Sequence, residues 1–420
     1  MRPAAVLGAG ALAIAGALGA CSSGSGGGAS ATPPAFDCTP NAAGVDEGAD
    51  FAASVDAYCM VRIADGAVVP NPAATPYDVN TPLFSDYATK YRTVWLPPGT
   101  SVAYSADGRF EFPVGTVITK SFGFPANMAN QGTAAPIRWL ETRVLIRSTT
   151  GWVGTSYVWD DAQKTTAPSV GGDIVTFSFV DANGATQTPS YLIPSQAQCK
   201  KCHANDGAMI TLGPGAAQLN RDFAYGPNDG GVENELAHWS RVGLLTGAPA
   251  PDAAPRLPVF DDPSTGDTAA RARAYLQANC DYCHNGNGEA RTTGLVLAND
   301  ETDPYALGLC KPPVAAGKAA ANQHYDIVPG QPDASILLYR MQSTAPSIMM
   351  PELGRSLEHV EAAQLVSDWI AGLTGSCGES VDAGADAGTP ADAGASTDAG
   401  APTDAGVPTD ALPVGAAEVP

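Results

Sequence analysis

Between residues 36 and 193 the apolar positions of this chain recur with a period of two, the mark of strands that bury one face. The runs Tyr91–Leu96, Gly115–Phe122, Ile137–Arg147, Trp152–Trp159 and Ile174–Val180 are parted by turn formers such as Pro97-Pro98-Gly99. In one of them Leu140, Thr142, Val144 and Ile146 alternate with Glu141, Arg143 and Leu145, so one face is charged at two of three positions. Asp181-Ala182-Asn183-Gly184 has the composition of a hairpin turn. Together these predict a β-sandwich-like domain over 36–193, with Trp95, Trp139, Trp152 and Trp159 in its core.

Past Pro194 the period lengthens. The pattern predicts helices over Asn234–Leu245, Asp267–Asn279, Ala334–Met341 and Leu357–Leu373, the last capped by Ser356. In that last helix Val366, Ile370 and Leu373 share a face, with Leu365 and Trp369 beside it. A proline-rich linker over 251–265 divides a segment 194–250 from a segment 266–377. Beyond it, 378–420 repeats Asp-Ala-Gly and lacks the bulky side chains needed to offset chain ordering, which predicts a disordered acidic tail. The fold class expected is therefore α+β and multidomain: a β-sandwich-like domain, two mainly α-helical domains and a disordered tail.

The first twenty residues carry one charge, Arg2, then the apolar run Ala4–Ala20, and read as a signal peptide. Leu18-Gly19-Ala20-Cys21 resembles the lipobox of bacterial lipoproteins, with Cys21 lipidated and 21–35 a flexible tether. An ordinary secreted protein cleaved nearby is the alternative. No aspartate follows Cys21, so the resemblance implies the outer membrane, facing the periplasm or the cell surface.

Net charge is −21. Eight acidic and no basic residues follow Cys377, leaving −13 for the rest. Such a balance argues against nucleic acid and suits electrostatic steering of a basic partner, although solubility alone explains it equally well.

Cysteine carries the chemistry. Cys199-Lys200-Lys201-Cys202-His203 and Cys280-Asp281-Tyr282-Cys283-His284 are two complete C-x-x-C-H motifs, the attachment signature of covalently bound haem c. Two thiols three residues apart on a helix reach two vinyl groups of one porphyrin, and the adjacent imidazole reaches its iron. On this reading Cys199, Cys202, Cys280 and Cys283 hold two covalent haems (iron), with His203 and His284 as proximal ligands. Zinc would want four clustered ligands, and a thioredoxin-like dithiol would follow a strand without a repeated histidine. Of nine cysteines, Cys38, Cys59, Cys310 and Cys377 remain. In an oxidising compartment they predict disulfides, and neighbourhood favours Cys38–Cys59 and Cys310–Cys377 over free buried thiols.

For the distal positions, Met350 precedes Pro351 where class I cytochromes c carry their methionine, with Met349 as rival. The first haem has His238 as its candidate, Met209 lying too close to His203, and an open iron is the alternative. His324 and His359 read as surface or structural.

Several stretches resemble an uncharacterised family of exported dihaem c-type cytochromes. They are Asn80–Ala88, Phe112–Thr116, Leu140–Arg143, Leu219–Phe223, Cys310–Val314, Tyr325–Gly330 and Met350–Arg355, spread over residues 75–372. The resemblance implies the cytochrome c plan for the two helical domains and a redox partner protein, in some members a parallel β-helix protein. The function expected is electron transfer by a dihaem lipoprotein. The alternatives are a peroxidase-like haem oxidoreductase with an open first iron, and a binding module served by the haems.

Overall fold

The computed structural model describes residues 35–131, 135–226, 229–314 and 317–378. The signal peptide, Cys21, nearly all of the tether and the acidic tail beyond Gly378 lie outside the described residues.

The chain opens with a hairpin, β1 (Val61–Ala64) and β2 (Ala67–Pro70). Six strands then make one antiparallel sheet: β3 (Thr75–Tyr77), β4 (Thr89–Trp95), β6 (Val117–Pro125), β7 (Ile137–Ser148), β8 (Gly151–Trp159) and β9 (Thr166–Pro168), in that order. The short β5 (Val102–Ala103) lies between β4 and β6 in sequence but outside the sheet. Two further pairings follow, β10 (Asp173–Thr176) with β13 (Ser190–Ile193) and β11 (Phe179–Val180) with β12 (Thr186–Gln187). The expected strand Ile174–Val180 thus breaks in two. The turn between β11 and β12 closes as expected of Asp-Ala-Asn-Gly, since the Asp181 carboxylate accepts from the Asn183 and Ala185 N–H groups.

The sheet has two unlike faces. On one, Val117, Val144, Ile146, Tyr157 and Trp159 pack with Val55, Tyr58 and Met60 from the preceding turns. Tyr58 and Tyr157 share a buried hydroxyl–hydroxyl bond of 2.9 Å there. The Cys38–Cys59 disulfide ties these turns together. The other face carries Val94 and Ile118 at one end and Phe122 and Leu140 at the other. Among the described residues it is covered by short two-stranded pieces, through Phe179 of β11 and Tyr191 and Ile193 of β13, and by later segments of the chain, not by a second large sheet. The β-sandwich expectation is corrected on this point: alternation marks a sheet with covered faces but does not say what covers them.

The expectation of two discrete helical domains is also corrected. After α1 (Gln196–His203) the segment 194–250 forms β14 (Ala204–Asn205), β15 (Ala208–Met209), the one-turn α2 (Ala216–Leu219), β16 (Asp222–Gly226), β17 (Gly231–Asn234), α3 (Glu235–Arg241) and β18 (Leu245–Thr246). β18 pairs in parallel with β5, and Leu236 and Trp239 of α3 share one core with Val94 and Ile118 of the sheet. Their burial is shared with the N-terminal region.

Residues 266–377 are richer in helix: α4 (Thr268–Leu276), α5 (Ile336–Gln342) and α6 (Val360–Gly372). Asp267 caps α4 by accepting from the Ala270 N–H at 2.8 Å. Leu276, Leu338, Val366, Trp369 and Ile370 fill the core between these helices, and Cys310–Cys377 closes it. Polar bonds tie this region to the sheet as well. The buried Asp86 carboxylate accepts from the Ser356 and Leu357 N–H groups, so Ser356 serves that junction rather than capping α6. The Asn279 carbonyl oxygen accepts from the Phe84 N–H at 2.7 Å. The described residues up to Cys377 form one mixed α/β unit.

Candidate functional site

The two C-x-x-C-H motifs sit on different local structures. Cys199 and Cys202 lie in the middle and last turn of α1, which starts directly after β13. A reciprocal cap starts that helix: the Ser195 hydroxyl accepts from the Gln198 N–H, and the Gln198 side chain returns the bond to the Ser195 N–H. His203 ends α1, and its Nδ1–H donates to the Ile210 carbonyl at 2.7 Å. A carbonyl can only accept, so this bond fixes the tautomer and leaves Nε2 with its lone pair.

The second motif begins where α4 widens into a single π turn over Gln277–Asp281. Cys280 is 9 % exposed and belongs to the core of the helical region. Cys199, Cys202 and Cys283 are half-buried, and all four thiols are free.

The fold brings the motifs together. The Asp206 N–H, just past the first, donates to the Asn287 carbonyl, just past the second, at 3.1 Å. The Cys202 thiol is near enough to add to the upward push on Cys283, after burial. Burial raises all four thiols: Cys280 and Cys283 are pushed up to about 12. Burial also raises Cys199 and Cys202, but there the Arg143 guanidinium opposes it. Neither motif occupies a helix N-terminus, so the macrodipole gives no thiolate stabilisation. Burial lowers His203 to about 4, with Lys120, Arg143 and Arg109 adding to it, and His284 to about 4.

The distal candidates fall as follows. Met350 lines a small cavity with Cys280, Tyr275, Met341, Arg355 and His359, so chain segments 70 residues apart do converge. That cavity holds about 10 Å³, the space of a single water. Met349 is 9 % exposed and packed. His238 is fully buried in α3, stacked on the Tyr225 ring at 3.3 Å between centroids, with Nδ1 3.0 Å from the Glu233 carboxylate. His359 stacks on Phe84 at 4.1 Å, with Nδ1 3.0 Å from the Tyr275 hydroxyl.

These findings correct the dihaem expectation, together with the iron, metal-binding and cytochrome assignments built on it. Among the described residues no three His, Cys, Asp or Glu side chains gather as a metal-holding group. The space between Cys280 and Met350 does not fit a macrocycle, and His238 is enclosed by its own stack. The cystines of the structure are Cys38–Cys59 and Cys310–Cys377. The resemblance to exported dihaem cytochromes falls with them. Comparison with known proteins found no match: no family model, no curated protein and no solved structure.

One group of residues beside the first motif was missed in the sequence. Lys90, Arg92, Lys120 and Arg143 share a face of the sheet, and Arg143 bonds Glu141 through two nitrogens. The signal was present in the charged alternation of Ile137–Arg147, but pairing across strands decides which charges become neighbours.

Proposed function

We propose that this chain is an exported, lipid-anchored thiol–disulfide exchange protein, held at the membrane through Cys21 and passing electrons to a partner protein. The observation that carries the reading is the juxtaposition of two free C-x-x-C dithiols, linked by the Asp206–Asn287 bond. Two disulfides elsewhere in the chain support an oxidising compartment, and the lipobox-like start supports the anchor. The body's negative charge suits a basic partner.

The chemistry follows from the thiols' surroundings. A dithiol whose thiolates are disfavoured gives a more reducing couple, because its reduced form gains no ionic stabilisation. The second motif, with both thiols at about 12, is the more reducing store. The first, where Arg143 favours thiolate, is the exit. In the exit step the Cys202 or Cys199 thiolate attacks one sulfur of the partner's disulfide and displaces the other as a thiol. The neighbouring cysteine then resolves the mixed disulfide. One partner cystine becomes two thiols, one C-x-x-C becomes a cystine, and two electrons and two protons move outward. Cys283 and Cys202 pass the next pair between motifs by the same exchange.

Equilibration of the full chain with mixtures of reduced and oxidised glutathione, quenched by acid and read by peptide mass, tests this. Each motif should lose two hydrogens as a unit, the second at the lower potential. Thiols that stay reduced throughout, or a covalent group already occupying them, would overturn it.

A further inference from the structure

The central sheet buries positive charge that it does not neutralise. Across the strands Lys90 faces Phe122, Arg92 faces Lys120, Lys120 faces Arg143 and Phe122 faces Glu141. Directly opposed residues lie on one side of a sheet, so four cations and one carboxylate of these strands form a single patch. Around the fully buried Phe122 ring stand Arg143 at 4.2 Å, Lys120 at 4.9 Å and Lys90 at 6.0 Å.

Compensation is incomplete. Arg92 pairs with Asp78, and Arg143 with Glu141, whose carboxylate also accepts from the Tyr191 hydroxyl. Lys90 donates to the Ala88 carbonyl at 3.0 Å. Among the described residues neither Lys90 nor Lys120 forms an ion pair. Burial and the neighbouring cations push Lys90 down to about 7 and Lys120 well below its ordinary value. Holding two lysine amines in this way is costly whether they keep the proton or shed it, and a sheet face built only for stability would carry apolar residues. The cost is the more telling in a chain of net charge −21.

The patch is not sealed. The Arg143 side chain keeps 26 % exposure, and Lys90 and Lys120 are half-buried. Close to it lies the first motif: Met209, just beyond it, packs with Leu145 beside Gly154, Arg143 acts on both thiols, and Lys120, Arg143 and Arg109 act on His203. The geometry points to a binding site for a small multiply charged anion, a polycarboxylate or a phosphate, held by Lys90, Lys120 and Arg143 beside the first motif. The anion supplies the negative charge that the sheet lacks and favours the protonated form of Lys90 and Lys120. The inference stands whether or not the dithiols exchange electrons.

Calorimetric titration of the full chain at low salt with citrate, and separately with inorganic phosphate, tests it. One saturable site is expected, and the tighter of the two anions assigns the class. The double variant Lys90→Met/Lys120→Met should lose about 100-fold in affinity, about 1.4 kcal/mol for each charge. Without ligand it should melt no lower than the parent, because it removes two amines that the fold desolvates without giving them an ion pair. Lys120→Arg keeps the charge and should retain most of the binding, which guards against a misfolded double variant. A bound anion should also slow alkylation of Cys199 and Cys202 while leaving Cys280 and Cys283 unchanged. No saturable binding by either anion, or unchanged binding in the double variant, would overturn the site.

Discussion

The same five-residue motif occurs twice in this chain, and the two copies live in different worlds. The first rides on α1, a helix with no buried residue of its own, held by a reciprocal cap and close to a cationic sheet face. The second grows out of α4, whose Ala272, Ala274, Tyr275 and Leu276 are buried, and it enters the core through Cys280. Cysteine spacing is identical, so the difference in thiol chemistry comes from the surroundings together with the two residues between the cysteines, where Lys201 lowers Cys202 and Asp281 raises Cys280. Arg143 favours thiolate in the first pair. In the second pair burial comes first, neighbouring thiols and carboxylates add to it, and Arg355 and Lys201 oppose it only weakly, so both thiols reach about 12. A motif fixes what can react, and its packing fixes in which direction.

The largest blow to the second copy alone is loss of its closing disulfide. Cys310→Ala/Cys377→Ala opens a bridge between residues 67 apart and should cost about 4 kcal/mol in chemical denaturation. Alkylation of Cys280 should speed up, while that of Cys199 and Cys202 stays the same. Leu276→Ala, one turn before Cys280 and fully buried, should cost about 3 kcal/mol through the cavity it leaves. Hydrogen exchange should report the loss in α4 and α6 and spare α1.

The matching change at the first copy is smaller. Ser195→Ala removes one half of the cap and should cost about 1 kcal/mol, read as faster exchange of the α1 amides. Acid should distinguish the copies least. His203 and His284 are both neutral when folded, with values near 4 against an ordinary 6.5. Between those pH values the unfolded chain binds more protons, so stability falls as pH drops from about 6.5 to about 4. Denaturation at stepped pH should show that decline, and Asn substitutions at either histidine should flatten it to a similar degree.

Much of the chain's local structure was legible. The alternating runs became β4, β6, β7 and β8 within a few residues, and the four helical patterns became α3 to α6, capped at their starts by Asn234 and Asp267 in two cases but not by the expected Ser356. Side-chain period and cap chemistry are local properties, which is why they survive in sequence. The layering was not legible. That Trp239 would share a core with Val94, or that Asp86 would hold the Ser356 and Leu357 amides, depends on partners 145 and 270 residues away. The site divides in the same way. The motifs were plain, but spacing says nothing of the room beside them. The cavity joining Cys280 and Met350 is a property of how Arg355, Tyr275 and His359 pack. That Lys90 and Lys120 form no ion pair among the described residues emerges only when strands are set side by side.

The central claim is that the four motif cysteines are two working dithiols with unlike surroundings. Peptide mass analysis of the protein isolated from its native host, alkylated before and after mild reduction, tests it most directly. Peptides spanning Cys199–Cys202 and Cys280–Cys283 should carry either free thiols or an internal cystine, the first pair alkylating faster at neutral pH. A shared covalent adduct of tetrapyrrole mass bridging the two cysteines of each motif would contradict it and restore the haem-bearing reading of the sequence.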